Sequence, residues 1–264
     1  YRKGGDSLMG RYHYYRQHPF TVAETIGDPS IPSIMEEIPI PSSHAKEGFE
    51  TLDRFGGFPE PFLKQNSRTL RRWHREKRSR LFREDIRDLE QVKDISNLQL
   101  LGDMLPLKAG SLLSINSMRE DLDVSHRAVS NWLNILESFY YCYRVYPYTG
   151  KTYRSLKKEP KLYLYDWSEI KNEGARFENC VASHLLKLVH LLQDYEGYQA
   201  DLFFLRSIEK KEVDFFVTID GNPWFALESK VSDTNVSPDL LYFKEKLKIP
   251  FLYQGVKTSE IDRF

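Results

Sequence analysis

The strongest constraint on the fold of this chain is a pair of apolar stretches near its C-terminal end that contain charged residues. The first, Glu212 to Ile219, carries Asp214, and the second, Trp224 to Lys230, ends in Glu228 and Lys230. Stretches of this length and composition predict buried strands. A buried charge is costly unless another charge or a metal compensates it. We therefore expect these three charged side chains to meet at one site.

The segment between the two predicted strands, residues 220–223, reads Asp-Gly-Asn-Pro and predicts a hairpin. In an antiparallel hairpin Asp214 and Glu228 can face each other, and Glu228 and Lys230 point to the same side because they are two residues apart. We expect Asp214 and Glu228 to hold Mg²⁺ or Mn²⁺ through carboxylate oxygens. Lys230 would stabilise the transition state of phosphodiester hydrolysis. The alternative for Glu228 and Lys230 is a surface ion pair.

A helix predicted over residues 175–189 adds a fourth candidate. Its apolar residues recur every three or four positions, at Phe177, Val181, Leu185 and Leu188. Glu178 lies beside that apolar stripe, at the edge of the buried face. We expect Glu178 to complete the metal shell or to bind the attacking water, so that the predicted catalytic set is Glu178, Asp214, Glu228 and Lys230.

Two short helices joined by a turn at residues 123–125 are predicted earlier in the chain, with Ser117 and Ser125 as candidate N-caps. Strands near residues 140–148 and 161–166 would form a wing behind them. The start of the second helix offers short polar and basic groups suited to base edges or phosphates. The predicted nucleic-acid contacts are Ser125, His126, Arg127, Ser130, Asn131, Arg154, Lys157 and Lys158. The alternative is a module that docks on protein or acts as a spacer.

A strongly basic stretch lies within a helix predicted over residues 62–95. Between Arg68 and Arg83 it carries eight basic residues and one acid, Glu76. One interpretation is a face that contacts phosphates. The other is a solvated helix whose charges pair with one another or with an acidic neighbour.

Composition restricts the class of protein. The chain has 264 residues, enough for two or three domains, and a formal net charge of zero, so any affinity for nucleic acid must come from local clusters. The only two cysteines, Cys142 and Cys180, lie in apolar segments and suggest buried thiols in a reducing, cytoplasmic setting. No apolar run approaches the roughly 18–20 residues that span a bilayer, and no glycine-rich phosphate loop occurs, so we expect neither a membrane nor ATP as a partner of this chain.

The chain also resembles a known family over nearly its full length. The stretches that carry the resemblance are Leu8–Tyr12, Gly56–Glu60, Arg83–Leu89, Arg154–Tyr163 and Gly174–Asn179, together with Glu178, Asp214, Glu228 and Lys230. They are similar to predicted prokaryotic AAA+-like ATPases that carry a P-loop domain, a winged helix and a PD-(D/E)xK nuclease-like domain. Val213 stands where the name of that nuclease superfamily has proline.

The resemblance implies an α/β multidomain protein, with a helical, winged helix-turn-helix region followed by a restriction-endonuclease-like α/β domain. Residues 1–27 would be the tail of a truncated ATPase domain, 28–61 an irregular linker, 62–150 the helical region and 151–264 the nuclease-like domain. ATP would bind only in the missing N-terminal domain. The expected function is DNA binding with Mg²⁺-dependent phosphodiester hydrolysis. The alternative is an inactive nuclease-like domain that binds DNA, a protein partner or a second copy of the chain.

Overall fold

The structure is a computed structural model that describes residues 12–28, 31–39, 45–86, 94–150 and 158–258. Within these ranges the chain forms nine α-helices and one mixed sheet of six strands. Short 3₁₀ turns occur at Leu105–Leu107 and Trp167–Glu169, and π-helical turns extend two of the helices at Leu81–Asp85 and Leu192–Glu196. The mixed α/β class expected from the sequence is therefore present.

The helices and strands follow one another along the chain with these bounds. The helices are α1 (Val22–Thr25), α2 (Ala45–Phe55), α3 (Pro59–Lys64), α4 (Ser67–Arg80), α5 (Ile95–Met104), α6 (Ile115–Leu122), α7 (His126–Ser138), α8 (Glu173–Leu191) and α9 (Pro238–Leu247). The strands are β1 (Cys142–Pro147), β2 (Lys161–Leu164), β3 (Ala200–Arg206), β4 (Glu212–Ile219), β5 (Asn222–Lys230) and β6 (Phe251–Val256).

The six strands lie in the order β2-β1-β3-β4-β5-β6. Strands β1 and β2, β3 and β4, and β4 and β5 pair antiparallel, whereas β1 with β3 and β5 with β6 pair parallel. The predicted hairpin is present: Asp220 and Gly221 both adopt positive φ, as a tight turn between β4 and β5 requires. The boundary expected at residue 150 falls between β1 and β2, which pair with each other and share the sheet with β3–β6.

Successive side chains of β4 point to opposite faces of the sheet, and apolar clusters lie on both faces. Phe215 and Val217 belong to the cluster that includes Leu185 and Val189 of α8. Phe216 belongs to a cluster on the opposite face, with Leu240 and Phe243 of α9. A third apolar cluster holds the helical region together and includes Trp132, Leu133 and Cys142 of α7 and β1. The sheet is thus covered by α8 on one face and by α9 on the other.

The stretch expected to be irregular, residues 28–61, instead contains α2. Leu52 and Phe55 are buried, and Phe49 packs edge-on against Phe177 of α8 at 5.7 Å between ring centroids. Apolar residues spaced by three place one face of this segment against the core. The glycine and proline residues that suggested a linker lie mostly outside Ala45–Phe55.

The helix expected over residues 62–95 is interrupted. Helix α3 ends at Lys64, and Gln65 adopts the left-handed conformation. Asn66 then caps α4, because its side-chain oxygen accepts hydrogen bonds from the backbone N–H groups of Arg68 and Thr69. The part of this prediction that covers residues 87–93 lies outside the described residues.

The two helices predicted around the turn at 123–125 are α6 and α7. Ser125 caps α7 as expected, with its Oγ accepting from the Ala128 N–H at 3.1 Å. For α6 the predicted cap was wrong. Ser114 is the cap and accepts from the Ser117 N–H at 3.4 Å, so Ser117 lies inside the first turn. Ser114 has the extended backbone that an N-cap requires, and it precedes the first helical residue, Ile115.

Candidate functional site

The four residues predicted to form a catalytic set lie close together. Glu178 projects from α8, Asp214 from β4, and Glu228 and Lys230 from β5. The pairing of Phe215 with Leu227 brings Asp214 beside Glu228, and the Asp214 N–H lies 3.4 Å from Glu228 Oε2. Lys230 Nζ donates to Glu228 Oε1 at 2.7 Å, as expected for two residues on one side of a strand.

Asp214 is held firmly on β4 by its neighbour across the hairpin. Its Oδ2 accepts hydrogen bonds from the backbone N–H of Ser229 at 3.0 Å and from the Ser229 hydroxyl at 2.8 Å. Ser229 lies between Glu228 and Lys230 on β5. The hairpin therefore fixes both the backbone and the carboxylate of Asp214, and this contact was not predicted from the sequence.

Lys161 is the most important residue of the site that sequence reasoning missed. It begins β2, its side chain is only 4% exposed, and its ammonium contacts three carboxylates. Nζ lies 3.2 Å from Glu178 Oε1, 3.0 Å from Asp214 Oδ1 and 2.9 Å from Glu212 Oε1. We refer to Glu178, Glu212, Asp214 and Glu228 as the acidic cluster. The sequence offers one signal for this contact, a lysine at the first position of an apolar strand.

Two further residues position Glu178. The Tyr163 hydroxyl donates to Glu178 Oε1 at 2.8 Å, from the same strand as Lys161. On the other side Gly110, with φ +74, lies so close that a Cβ there would be 3.2 Å from Glu178 Oε2. Both the left-handed backbone and this close approach favour glycine at position 110.

The acidic cluster carries more negative than positive charge. Its four carboxylates contact three cations, Lys161, Lys230 and the Arg206 guanidinium, which lies 2.8 Å from Glu212. Burial and the charge of Asp214 raise the pKa of Glu178 to about 7, despite the opposing contacts with Lys161 and Tyr163. Burial and the Asp214 charge also raise the pKa of Glu228, against the hydrogen bond from Lys230.

Protein groups already occupy the carboxylate oxygens that a divalent metal would need. Asp214 Oδ1 accepts a hydrogen bond from Lys161, and Asp214 Oδ2 accepts one from Ser229. Glu228 Oε1 accepts one from Lys230. Among residues 12–28, 31–39, 45–86, 94–150 and 158–258, no group of three or more His, Cys, Asp or Glu side chains is arranged to hold a metal ion. With Lys161 in place, the acidic cluster does not fit a bound Mg²⁺, because the ammonium lies where the carboxylate oxygens converge.

The residues predicted to contact nucleic acid lie mostly on one exposed surface. Ser125, His126, Arg127 and Asn131 are exposed at the start of α7, and Ser130 is half-buried. Ser125 uses its oxygen to cap the helix. Lys158 is exposed just before β2, whereas Arg154 and Lys157 lie outside the described residues. The surface at the start of α7 thus offers two basic groups, His126 and Arg127.

Helix α4 has two different faces. Its inner face docks on the turn at residues 166–169: Trp73 Nε1 donates to Asp166 Oδ2 at 3.2 Å, and Lys77 Nζ donates to the same oxygen at 2.7 Å. Its outer face carries exposed arginines within about 100° of the helix circumference, since helical residues advance by about 100° each. We call this the α4 arginine face; its members are Arg68, Arg71, Arg72 and Arg75.

The two interpretations of this basic helix apply to different residues. Arg72 pairs with Glu60 at 3.2 Å and with Glu76 at 3.6 Å, as expected for a solvated, self-paired helix. Arg68, Arg71 and Arg75 contact no acidic side chain in the part of the chain that the structure describes. Among the described residues, three exposed guanidinium groups on one side of a helix thus have no acidic partner.

Two family models match different parts of the chain. Residues 46–169 match a family model described as a domain of unknown function, DUF8612, and residues 173–262 match another, DUF4143. The two matches meet between β2 and α8, so the six-stranded sheet receives strands from both. No curated protein matches the chain. No solved structure matches it either.

None of the helices that the structure describes is both long enough and apolar enough to cross a bilayer.

Proposed function

We propose that this protein binds DNA through the phosphate backbone and does not cut it. The observation that carries the proposal is the α4 arginine face, where Arg68, Arg71 and Arg75 are exposed at i, i+3 and i+7 without a described acidic partner. Because the chain has no net charge, any attraction for anions must be local, and arginines without a described acidic partner supply it. Arginine suits phosphate because its planar guanidinium donates two hydrogen bonds side by side.

The spacing along α4 agrees with a phosphate backbone. A rise of about 1.5 Å per residue separates Arg68 and Arg75 by roughly 10 Å along the helix axis. Phosphates of one strand repeat about every 3.4 Å along the axis of duplex DNA, so the three arginines span about three repeats. Several cations over this length can contact successive phosphates, which is the contact type that gives affinity without reading sequence.

The second element of the proposal is the surface at the start of α7. Helices α6 and α7, followed by the paired strands β1 and β2, occur in the order expected for a winged helix-turn-helix. His126, Arg127 and Asn131 are exposed there and make no side-chain hydrogen bond in the described part of the chain. In this proposal α7 contacts base edges or sugar-phosphate, while the α4 arginine face supplies most of the charge.

The arrangement of the acidic cluster supports binding without cleavage. The site that would hold Mg²⁺ in a nuclease is closed by Lys161, so the protein itself compensates part of the negative charge of the described carboxylates. A surplus of carboxylates also repels a phosphodiester. The nuclease-like part of the chain then serves as a scaffold for DNA or protein contacts, which is the non-catalytic alternative expected from the sequence.

Mg²⁺-dependent phosphodiester hydrolysis is the second candidate, and one observation favours it. Glu178, Asp214, Glu228 and Lys230 converge from three elements, and the pKa of Glu178 is raised to about 7. A carboxylate with a pKa near neutrality suits proton transfer to and from water. If this candidate is correct, the purified protein nicks DNA with Mg²⁺ or Mn²⁺, and Asp214→Ala or Lys230→Ala abolishes the reaction.

A salt titration of DNA binding tests the proposal. Fluorescence anisotropy with labelled duplex DNA is recorded for wild type, for Arg71→Gln/Arg75→Gln, and for a matched control that also loses two exposed cations, Lys171→Gln/Lys244→Gln. Each lost phosphate contact reduces the magnitude of the slope of log K against log salt by about 0.9. For the α4 variant the slope should therefore be smaller in magnitude by about 2, and the affinity at 0.15 M salt should be roughly 30-fold lower.

The control variant should bind like wild type. Equal losses in both variants would show that only net charge matters, and absence of salt-dependent binding by wild type would overturn the proposal. Gel analysis of the same DNA after incubation with Mg²⁺ or Mn²⁺ separates the two candidates. Intact DNA supports binding alone, whereas cleavage lost in Asp214→Ala establishes the second candidate.

A further inference from the structure

Lys161 occupies the centre of the acidic cluster. Its ammonium is surrounded by one oxygen each of Glu178, Glu212 and Asp214, all between 2.9 and 3.2 Å from Nζ. These carboxylates come from α8 and from β4, and the lysine comes from β2 at the edge of the sheet. Three different elements thus converge on one buried positive charge.

We propose that Lys161 is a built-in cation that takes the place of a divalent metal in the acidic cluster. The carboxylate oxygens around it are the ligand type that Mg²⁺, Mn²⁺ and Ca²⁺ prefer. The ammonium and a metal cannot be present together, because both are positive and both need the same oxygens. The wild-type cluster is therefore independent of metal, and removal of the lysine side chain should convert it into a divalent-cation site.

Several contacts keep Lys161 in this position. Strand β2 pairs with β1, where Lys161 lies opposite Val145, and a further bridge joins Lys161 to Leu112. The ring of Phe204 lies 5.7 Å from Nζ, near enough for a cation–π contribution. The three carboxylates keep the pKa of Lys161 above its ordinary value even though burial opposes this, so the side chain remains charged.

The proposal does not depend on DNA binding, because it concerns only the occupant of the acidic cluster. It also explains how a nuclease-like set of residues can be stable without a metal. Four carboxylates in contact would repel one another strongly. The Lys161 ammonium offsets this repulsion from inside the fold, and Lys230 and Arg206 do so at the edge of the cluster.

The test compares Mn²⁺ binding by isothermal titration calorimetry in wild type and two variants. Lys161→Met removes the charge and keeps an unbranched side chain of similar length. The matched control is Lys77→Met, because Lys77 is a partly buried lysine with two carboxylate partners, Asp166 and Glu169. We expect Lys161→Met to bind one Mn²⁺ roughly tenfold or more tightly than wild type, since a charge repelling the ion is gone. Lys77→Met should show no such gain.

A double variant assigns the new site to these carboxylates. Glu178→Gln added to Lys161→Met should lower the Mn²⁺ affinity by roughly 10–100-fold, the usual effect of disturbing a metal's surroundings. Circular dichroism verifies folding; if Lys161→Met or Lys77→Met unfolds, the glutamine variant at that position is titrated instead, because its amide retains hydrogen bonding to the carboxylates. Wild-type Mn²⁺ binding as tight as that of the variant, or no gain in any folded Lys161 variant, would overturn the proposal.

Discussion

Lys77 and Lys161 each contact two or more carboxylates, but the carboxylates around them differ. Lys77 of α4 contacts Asp166 and Glu169, and its side chain is 17% exposed. Lys161 of β2 contacts Glu178, Glu212 and Asp214, and its side chain is 4% exposed. Both lysines have a raised pKa because their carboxylate neighbours outweigh the effect of burial. The lysines alone therefore do not distinguish the two regions.

The carboxylates distinguish them. Burial alone would raise the pKa of Asp166, but the Lys77 charge and hydrogen bonds to both of its oxygens lower that pKa below its ordinary value. Glu178 receives its hydrogen bonds from Lys161 and Tyr163 on one oxygen, Oε1, and lies near the like charge of Asp214. Burial and that charge raise its pKa to about 7.

Asp166 and Glu178 thus represent a structural ion pair and a cluster of functional type, respectively. In the Lys77 region donors satisfy the carboxylate, so its ionised form stabilises the fold and joins α4 to the turn at residues 166–169. In the Lys161 region like charges are held together at a cost to stability. Such perturbed groups concentrate at functional sites, where the fold tolerates strain for chemistry or binding.

The largest expected effect is that of Lys77→Met on stability. Removing this ammonium leaves Asp166 buried with its charge uncompensated, and breaking a buried pair in this way costs about 3–5 kcal/mol. Lys161→Met should lower the free energy of unfolding by less, because Glu178 already takes up a proton near pH 7 and can relieve the lost charge. Urea unfolding at pH 7 measures both variants. A larger loss for Lys161→Met than for Lys77→Met would contradict the comparison.

Replacing one carboxylate by its amide should change the free energy of unfolding by less, and the sign of the change should differ between the Lys77 and Lys161 regions. At pH 8 Asp166→Asn should destabilise the fold by about 1–3 kcal/mol, because it weakens charged hydrogen bonds in a buried site. Glu178→Gln should stabilise the fold at the same pH, since its amide oxygen can still accept from Lys161 and Tyr163 while the repulsion from Asp214 disappears. The gain is bounded by about 3 kcal/mol, the free energy that corresponds to a pKa shift from 4.5 to about 7.

The pH dependence of Glu178→Gln provides the control for this interpretation. The pKa of Glu178 is higher in the folded than in the unfolded state, so the folded protein binds more protons between about pH 4.5 and 7. Its contribution to the free energy of unfolding therefore falls as pH rises through this window and is constant above it. The variant should lack this decline. The same decline in wild type and variant would assign it to another group.

The C-terminal hairpin shows what could be predicted from sequence. The apolar alternation and the Asp-Gly turn located β4 and β5 almost to the residue, and with them the neighbourhood of Asp214, Glu228 and Lys230. These contacts are local, since a hairpin fixes its own register. The helix α8 and the position of Glu178 on it followed from helical periodicity in the same way.

The features that sequence could not reveal depend on contacts between distant segments. Lys161 reaches Asp214 only because β2 and β4 belong to one sheet, and no pattern near residue 161 specifies that topology. Helix α2 was not predicted because prolines and glycines surround it in the sequence. Its apolar face packs against α8, a contact that the local sequence does not specify. The docking of Lys77 on Asp166 separates the inner from the outer face of α4, which the basic composition of that helix obscured.

In this interpretation the acidic cluster is rich in carboxylates, is compensated by Lys161 and needs no metal. A ¹³C NMR titration of the Glu178 carboxyl, assigned by comparison with Glu178→Gln, tests it most directly when repeated with and without millimolar Mg²⁺. We predict a midpoint near pH 7 that Mg²⁺ does not move. A midpoint near the ordinary value of about 4.5, or one that falls markedly when Mg²⁺ is added, would contradict the account.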